Sequence, residues 1–272
     1  MITGTVTLML ELFKYSFLQR AVVVGMFTGS ALAILGIVVV MRRMAFFGSG
    51  LAHIAFGGIG LAVLLGISPF PVAVIFSVCA AVFLGYLRTQ NVSEDTSIGI
   101  LFSLSMALGV ILLSLGKKGY GDLTSYLFGD ILAIGKYEAR VMIIVSMIGM
   151  VFMYLFHDHL AYFTMDEDYT KLMYPRMKFV YFVYLILLAV MIVLALKILG
   201  VILVSALFII PAAAGLIVGG EYHRAFWIAL AFVNVSIFAG IMLSYFLDIP
   251  TGPAIVVLEG GGFFSILFLK KK

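Results

Sequence analysis

Charge is what this sequence has least of. Lys, Arg, Asp and Glu together make up 11% of 272 residues, while hydrophobic side chains make up 64%. A water-soluble domain carries roughly a quarter of its residues as charges to cover its surface. The composition therefore excludes a soluble globule and makes lipid the main solvent. Cysteine is nearly missing. Cys79 stands alone inside an apolar run, which excludes an intrachain disulfide and reads as a small buried hydrophobe. No cleaved leader is expected, because Glu11 and Lys14 interrupt the first apolar stretch and no basic segment precedes it. Catalytic signatures are missing too: no GxxxxGKS/T loop, no HExxH, no GxSxG and no paired cysteines. The one glycine run, Gly260-Gly261-Gly262, lies in an apolar stretch with no lysine after it. If ATP drives anything here, another chain must hydrolyse it.

What is present is apolar sequence in blocks of bilayer length. A spanning helix needs about 20 mostly apolar residues. That ruler marks nine candidates, at 21–41, 49–66, 69–87, 97–115, 140–156, 179–196, 198–218, 225–247 and 254–269. The expected fold is all-α: one transmembrane domain over residues 1–272, with eight or nine spanning helices. Residues 1–17 are amphipathic and suit the membrane surface. The net charge of +4 does not point to nucleic acid. Lys and Arg sit in short clusters between the apolar blocks, with no basic stripe carrying interleaved aromatics. With nine spans, ten of the 17 Lys and Arg residues fall on one side, among them Arg42, Arg43, Arg88 and Lys171. That side is read as cytoplasmic and the N-terminus as outside.

Three segments depart from simple spans. Residues 123–134 are apolar but too short to cross, and at membrane depth such a piece must be buried in protein or line a cavity. It reads as a re-entrant or surface half-helix. Pro211, followed by Gly215, falls inside the seventh span, where a lost backbone hydrogen bond favours a hinge or kink. Residues 157–178 form the longest polar linker. There Asp166, Glu167 and Asp168, then Tyr169 and Lys171, place acids first and a base last, as a short helix with a complemented dipole would. This is either a solvated loop or a docking helix for a soluble partner, and the aromatics mixed with the acids favour docking.

Ionisable residues inside membrane spans are costly and often functional. His53 lies in the second span, one turn after Ser49, so both occupy one helix face that Gly57 and Gly60 roughly continue. A lone histidine there is a packing residue or a metal ligand, and a borderline divalent ion needs further N, O or S donors from other helices. Asp130 in the half-helix and Asp122 in the loop before it are cation-attracting or helix-capping residues. His157 and His159 flank Asp158 at the inner end of the fifth span, and Asp248 beside Pro250 is a turn residue.

Four ordered motifs carry a family resemblance across nearly the whole chain. They are the runs at 42–53 (RRMAFFGSGLAH), 94–101 (EDTSIGIL), 125–132 (SYLFGDIL) and 200–213 (GVILVSALFIIPAA). Together they resemble the zinc/manganese/iron-type ABC importer permeases. The resemblance implies a homodimeric permease in the plasma (inner) membrane. Two cytoplasmic ATP-binding subunits and an extracytoplasmic metal-binding protein would serve it. The transported zinc, manganese or iron is cargo, with no stably bound cofactor. His53 matches a family histidine on the metal path, and 166–174 resembles the cytoplasmic coupling helix, a candidate ATPase-docking segment. Two residues depart from the pattern: Ser49 stands where many members carry Asp, and Tyr174 where many carry Gly. Glu259, ahead of the glycine run, is unusual in a last helix.

Two other functions compete. A stand-alone secondary ion transporter usually buries several charges at mid-membrane, and these spans are nearly free of them. An intramembrane metalloenzyme needs several intramembrane ligands, of which His53 alone is evident.

Overall fold

The computed structural model describes residues 15–90, 92–116 and 134–270, and they are helical almost throughout. The helices are α1 (Ser16–Met41), α2 (Phe47–Leu65), α3 (Pro69–Thr89), α4 (Glu94–Leu115), α5 (Lys136–Met165), α6 (Glu167–Met173), α7 (Met177–Gly219), α8 (Tyr222–Leu247) and α9 (Thr251–Lys270). Among the described residues all but α6 are long and apolar enough to cross a membrane. The amphipathic N-terminal segment lies largely, and the half-helix with Asp122 and Asp130 almost wholly, outside the described residues.

Local chemistry sets the helix ends. Pro69 opens α3, where its missing N–H costs nothing. Ser93 caps α4 by accepting from the Thr96 amide. Gly66 closes α2 in the left-handed region at φ 69°. Asp248, as its sequence neighbourhood predicts, turns the chain after α8 at φ 52°.

The 43 residues of α7 would reach about 65 Å at 1.5 Å per residue, twice the hydrocarbon thickness. They are not one rod. Gly200 adopts φ 76° and ψ 163°, a region open essentially only to glycine. The chain reverses there. The Tyr184 hydroxyl on the first limb donates to the Leu35 carbonyl, while Phe208 on the second limb packs its backbone on Gly36. Two points 24 positions apart in α7 thus meet adjacent residues of α1. The limbs, 177–199 and 201–219, form a helical hairpin, and eight spanning helices make nine passes. The break sits at Gly200 rather than at Lys197, between the sixth and seventh expected spans. Pro211 and Gly215 do not bend the chain: only Gly200 leaves helical torsions within α7. Proline's fixed φ is itself helical, and Gly215 instead admits the α8 backbone at Ala225 and Ala229.

α1 is the axis of the bundle. Every residue from Thr28 to Val39 is buried, so this helix is apolar all round rather than on one stripe. α5, α7 and α8 enclose it. The few polar groups inside find each other: Asn234 donates to Ser30 at 2.9 Å and Ser146 to Thr28 at 3.5 Å. α2 and α4 run parallel and nearly backbone to backbone. A Cβ on Gly57 would lie 2.9 Å from the Ser105 carbonyl, and one on Gly60 would lie 2.8 Å from that of Gly109. Small residues allow this approach.

The two ends of the bundle differ. Arg42, Arg88, Glu94 and Glu167 meet at one end, which also carries Lys270 against the Ile217 carbonyl. At the other end Lys197 pairs with Glu138 at 2.6 Å, and Arg20 donates to the Ile134 carbonyl. The first end holds most of the Lys and Arg, so the positive-inside rule assigns it to the cytoplasm, and it is called the cytoplasmic end in that sense.

Candidate functional site

Two structures stand out, one on the α2–α4 pair and one at its cytoplasmic end. Ser49 and His53 lie one turn apart on α2, both half-buried. The His53 ring meets Phe102 of α4 edge to face, with centroids 5.0 Å apart. Phe46 closes on the other side of Phe102 at 6.5 Å. The wall so formed offers one imidazole and one hydroxyl. Among the described residues no group of three or more His, Cys, Asp or Glu side chains is placed to hold a metal ion.

The remaining histidines are separated by helix geometry. The His157 Nδ1–H donates to the Tyr154 carbonyl at 2.9 Å, and the ring stacks on Tyr222 at the start of α8. His159, two positions on, faces another way, edge-on to Tyr174 at 4.7 Å. An i, i+2 spacing cannot place two side chains on one helix face. His157 instead approaches His223, with centroids 6.1 Å apart, a neighbour no local spacing announces.

At the cytoplasmic end four buried or half-buried charges form a closed set. Arg42 contacts Glu94 at 3.5 Å and Glu167 at 3.2 Å. Arg88 pairs with the same two carboxylates. The Tyr181 hydroxyl donates to Glu94. Both guanidinium groups lie over aromatic faces, Arg42 at 4.6 Å from the Phe163 ring and 4.9 Å from the Tyr181 ring, and Arg88 at 5.8 and 5.4 Å. Side chains of Arg42 and Glu94 are each 7% exposed. The two arginines and two carboxylates alternate, so each of these charges has at least two partners of opposite sign, the condition under which buried ions are tolerated, and Lys171 joins Glu167 from the more exposed side. A cleft of about 770 Å³, lined by the cluster itself, opens between the ends of α1, α3 and α5, the starts of α4 and α7, and α6.

Of the expected polar linker, residues 157–165 continue α5 without a break, and the docking segment proper forms the helix α6. Asp166 is its N-cap and accepts from the Tyr169 amide at 2.9 Å. Glu167 and Asp168 occupy the first turn and Lys171 the last. The five residues divide between two faces. Glu167 turns inward to Arg42 and Arg88, and Lys171 pairs with it at 2.8 Å. Thr170, buried to 1%, seats the helix on the bundle. Asp168 points outward with a side chain 94% exposed, together with Tyr169, Leu172 and Met173. Sequence reasoning missed Arg42, Arg88, Glu94 and Tyr181 as one cluster. Arg42 and Glu94 belong to the first two motifs, and that was the only available signal.

A polytopic helical bundle with a short helix clamped to its cytoplasmic end and a sparse polar wall inside is the architecture of a membrane transport subunit. The pattern of the ABC 3 transport family matches residues 14–270. A probable metal transport system membrane protein of Thermotoga maritima is 31% identical over 261 residues, covering 94% of this chain and 91% of that protein. The manganese transport system membrane protein MntC of Listeria monocytogenes is 31% identical over 263 residues, covering 96% and 94%. Among solved structures, PsaBC from Streptococcus pneumoniae in complex with Fab superposes with a TM-score of 0.80 at 26% identity, covering 98% of this chain and 95% of that one. The chain belongs to the ABC 3 transport family: it is a multi-pass membrane permease of metal transport, a transport subunit rather than an enzyme.

Proposed function

We propose that this permease forms, as a homodimer in the plasma (inner) membrane, the pathway of an ATP-driven importer for a divalent transition-metal ion. Cytoplasmic ATP-binding subunits dock on the outer face of α6, and an extracytoplasmic binding protein delivers the metal. The observation that carries this reading is the two-faced α6. Its outward face presents Tyr169, Leu172 and Met173 with Asp168, an apolar patch edged with charge of the kind that protein partners cover. Its inward face is tied through Glu167 to Arg42 at the end of α1 and Arg88 at the end of α3, and both arginines reach Glu94 at the start of α4.

The metal path runs along the Ser49–His53 wall. One chain supplies at most two donors there, while a divalent transition ion takes four or more. A second copy facing the same wall supplies the others. Manganese, the ion named for the Listeria relative, is the first choice among manganese, zinc and iron. An imidazole with oxygen donors suits it without excluding the others. Ser49 in place of a carboxylate keeps the site weakly held, as conduction requires.

The test is reconstitution of the permease with its ATP-binding subunit and binding protein in liposomes. ATP-dependent manganese uptake is expected. His53→Ala should lower it at least tenfold while leaving the yield of folded protein unchanged. Ion movement by the permease alone, without nucleotide, would assign it to the secondary transporters instead. Equal loss of uptake and folding in His53→Ala would make the histidine a packing residue.

A further inference from the structure

We propose that Glu167 is a positioning residue that fastens the docking helix to the metal-path helices, through Arg42 and Arg88, so that α6 and the α2–α4 pair move as one body. The inference rests on the importer reading above and adds to it which residue transmits the stroke.

A helix of seven residues has no stability of its own, so contacts decide where α6 sits. It follows α5 after the single residue Asp166 and packs against that helix, and beyond this joint its inward contacts are buried Thr170 and Glu167 on the two guanidinium groups. What those groups belong to gives the contact its direction. Arg42 is the C-cap of α1, in the short turn that leads into α2 and then to Ser49 and His53. Arg88 lies in the last turn of α3. Both hold Glu94, the first residue of α4. α4 carries Phe102 against His53 and follows α2 in backbone contact. One carboxylate on α6 therefore reaches, through two arginines, the cytoplasmic ends of both helices that build the His53 wall.

Electrostatics makes the link stiff. Pulling Glu167 away would leave two mostly buried arginines facing Glu94 alone, and removing one partner of a buried ion pair is strongly unfavourable. Cation–π contacts of both arginines with Phe163 of α5 and Tyr181 of α7 hold the guanidinium groups in place from the membrane side. A partner that tilts α6 thus carries α2 and α4 with it. The outward residues bind the partner, and Glu167 passes the motion on.

The test uses the full-length permease in two preparations. In the first, Asp168→Cys in a Cys79→Ser background carries a nitroxide label at the exposed position beside Glu167, and the detergent-purified permease is examined alone. Adding Glu167→Gln is expected to raise the label's mobility several-fold. In the second, the complex with the ATP-binding subunit is reconstituted and driven by manganese-loaded binding protein. Glu167→Gln should capture the ATP-binding subunit and show a KM for ATP within twofold of wild type. Maximal stimulated hydrolysis and uptake should fall at least tenfold, with Glu167→Asp recovering a third or more. Stimulated uptake within twofold of wild type overturns the proposal. So does loss of subunit capture in parallel with uptake, which would place Glu167 in the docking surface itself. If Glu167→Gln does not insert, the same readouts are taken on Arg88→Lys, which keeps the charge and shortens the reach. Should wild type capture no ATP-binding subunit, the importer reading fails, while the label experiment still decides whether Glu167 fixes α6.

Discussion

The Tyr184 hydroxyl donates to the Leu35 carbonyl at 2.7 Å in the buried centre of the bundle. One position along α1, Gly36 receives the backbone of Phe208 from the other limb of α7. The hairpin thus straddles the axial helix, and no side chain intervenes at Gly36. A methyl group there would press on main chain rather than on a flexible side chain. Overpacking of this kind costs about 1–3 kcal/mol. Gly36→Ala should lower the thermal midpoint of the detergent-purified protein by several degrees. Tyr184→Phe, which removes one hydrogen bond worth about 1 kcal/mol, should lower it less. A Gly36→Ala protein as stable as wild type would show that the limbs can part at this point.

Gly200 is the second stability prediction. Its torsions lie where a Cβ is strongly disfavoured, at a cost of about 1–3 kcal/mol. The reversal also brings Lys197 to Glu138 and to the Phe70 ring at 5.3 Å, so it fixes the outer end of three helices. Gly200→Ala is expected to reduce the yield of folded protein and its thermal midpoint. Pro211→Ala should change either far less, because helical torsions run through that position unbroken. Comparable losses from both would return the hinge to Pro211.

Much of the fold was legible from composition because lipid leaves little choice: backbone polar groups must be satisfied within each span, so runs of about 20 apolar residues become helices. The α6 segment was legible through its acids, its base and Asp166 as a cap. What remained hidden depends on tertiary placement. A proline advertises a bend by what it lacks, yet its φ fits a helix, whereas Gly200 advertises nothing beyond being glycine. Nothing local says that Arg42 meets Glu167, 125 positions away, or which face of α6 turns inward. His53 stands out as an ionisable residue inside a span, with Ser49 placed on its face by spacing, but Phe102 as its neighbour depends on α2 and α4 lying side by side.

Ser49 gives a prediction about the ion. It sits one turn below His53 on the same half-buried face, where a carboxylate would add a charged oxygen donor. Ser49→Asp should tighten binding of divalent metal to the reconstituted permease and lower the external manganese concentration at half-maximal uptake. Tighter binding also slows release, so the maximal rate is expected to fall in the same protein. Measuring uptake against manganese concentration separates the two effects. Unchanged values of both would remove residue 49 from the path.

Glu259 provides the last test, because it stands in the interior of α9 with a carboxyl group that nothing in the described residues satisfies. It is 0% exposed, and both carboxylate oxygens lack a hydrogen-bond partner among the described residues. Apolar contacts flank it: one turn before it Ile255 packs on Gly240, and three residues after it Gly262 packs on Phe232. A buried polar group without a partner costs about 1–3 kcal/mol relative to a satisfied one, and an apolar side chain of similar size removes that cost. Glu259→Leu should therefore insert normally and unfold several degrees higher than wild type, with Glu259→Gln between the two or slightly lower. Thermal unfolding followed by tryptophan fluorescence is a suitable monitor, since Trp227 lies on α8, which packs against α9. A midpoint that falls in Glu259→Leu would mean that the carboxyl group is held by a partner in the folded protein, and the search for that partner would then begin at Ser236, buried on the facing helix.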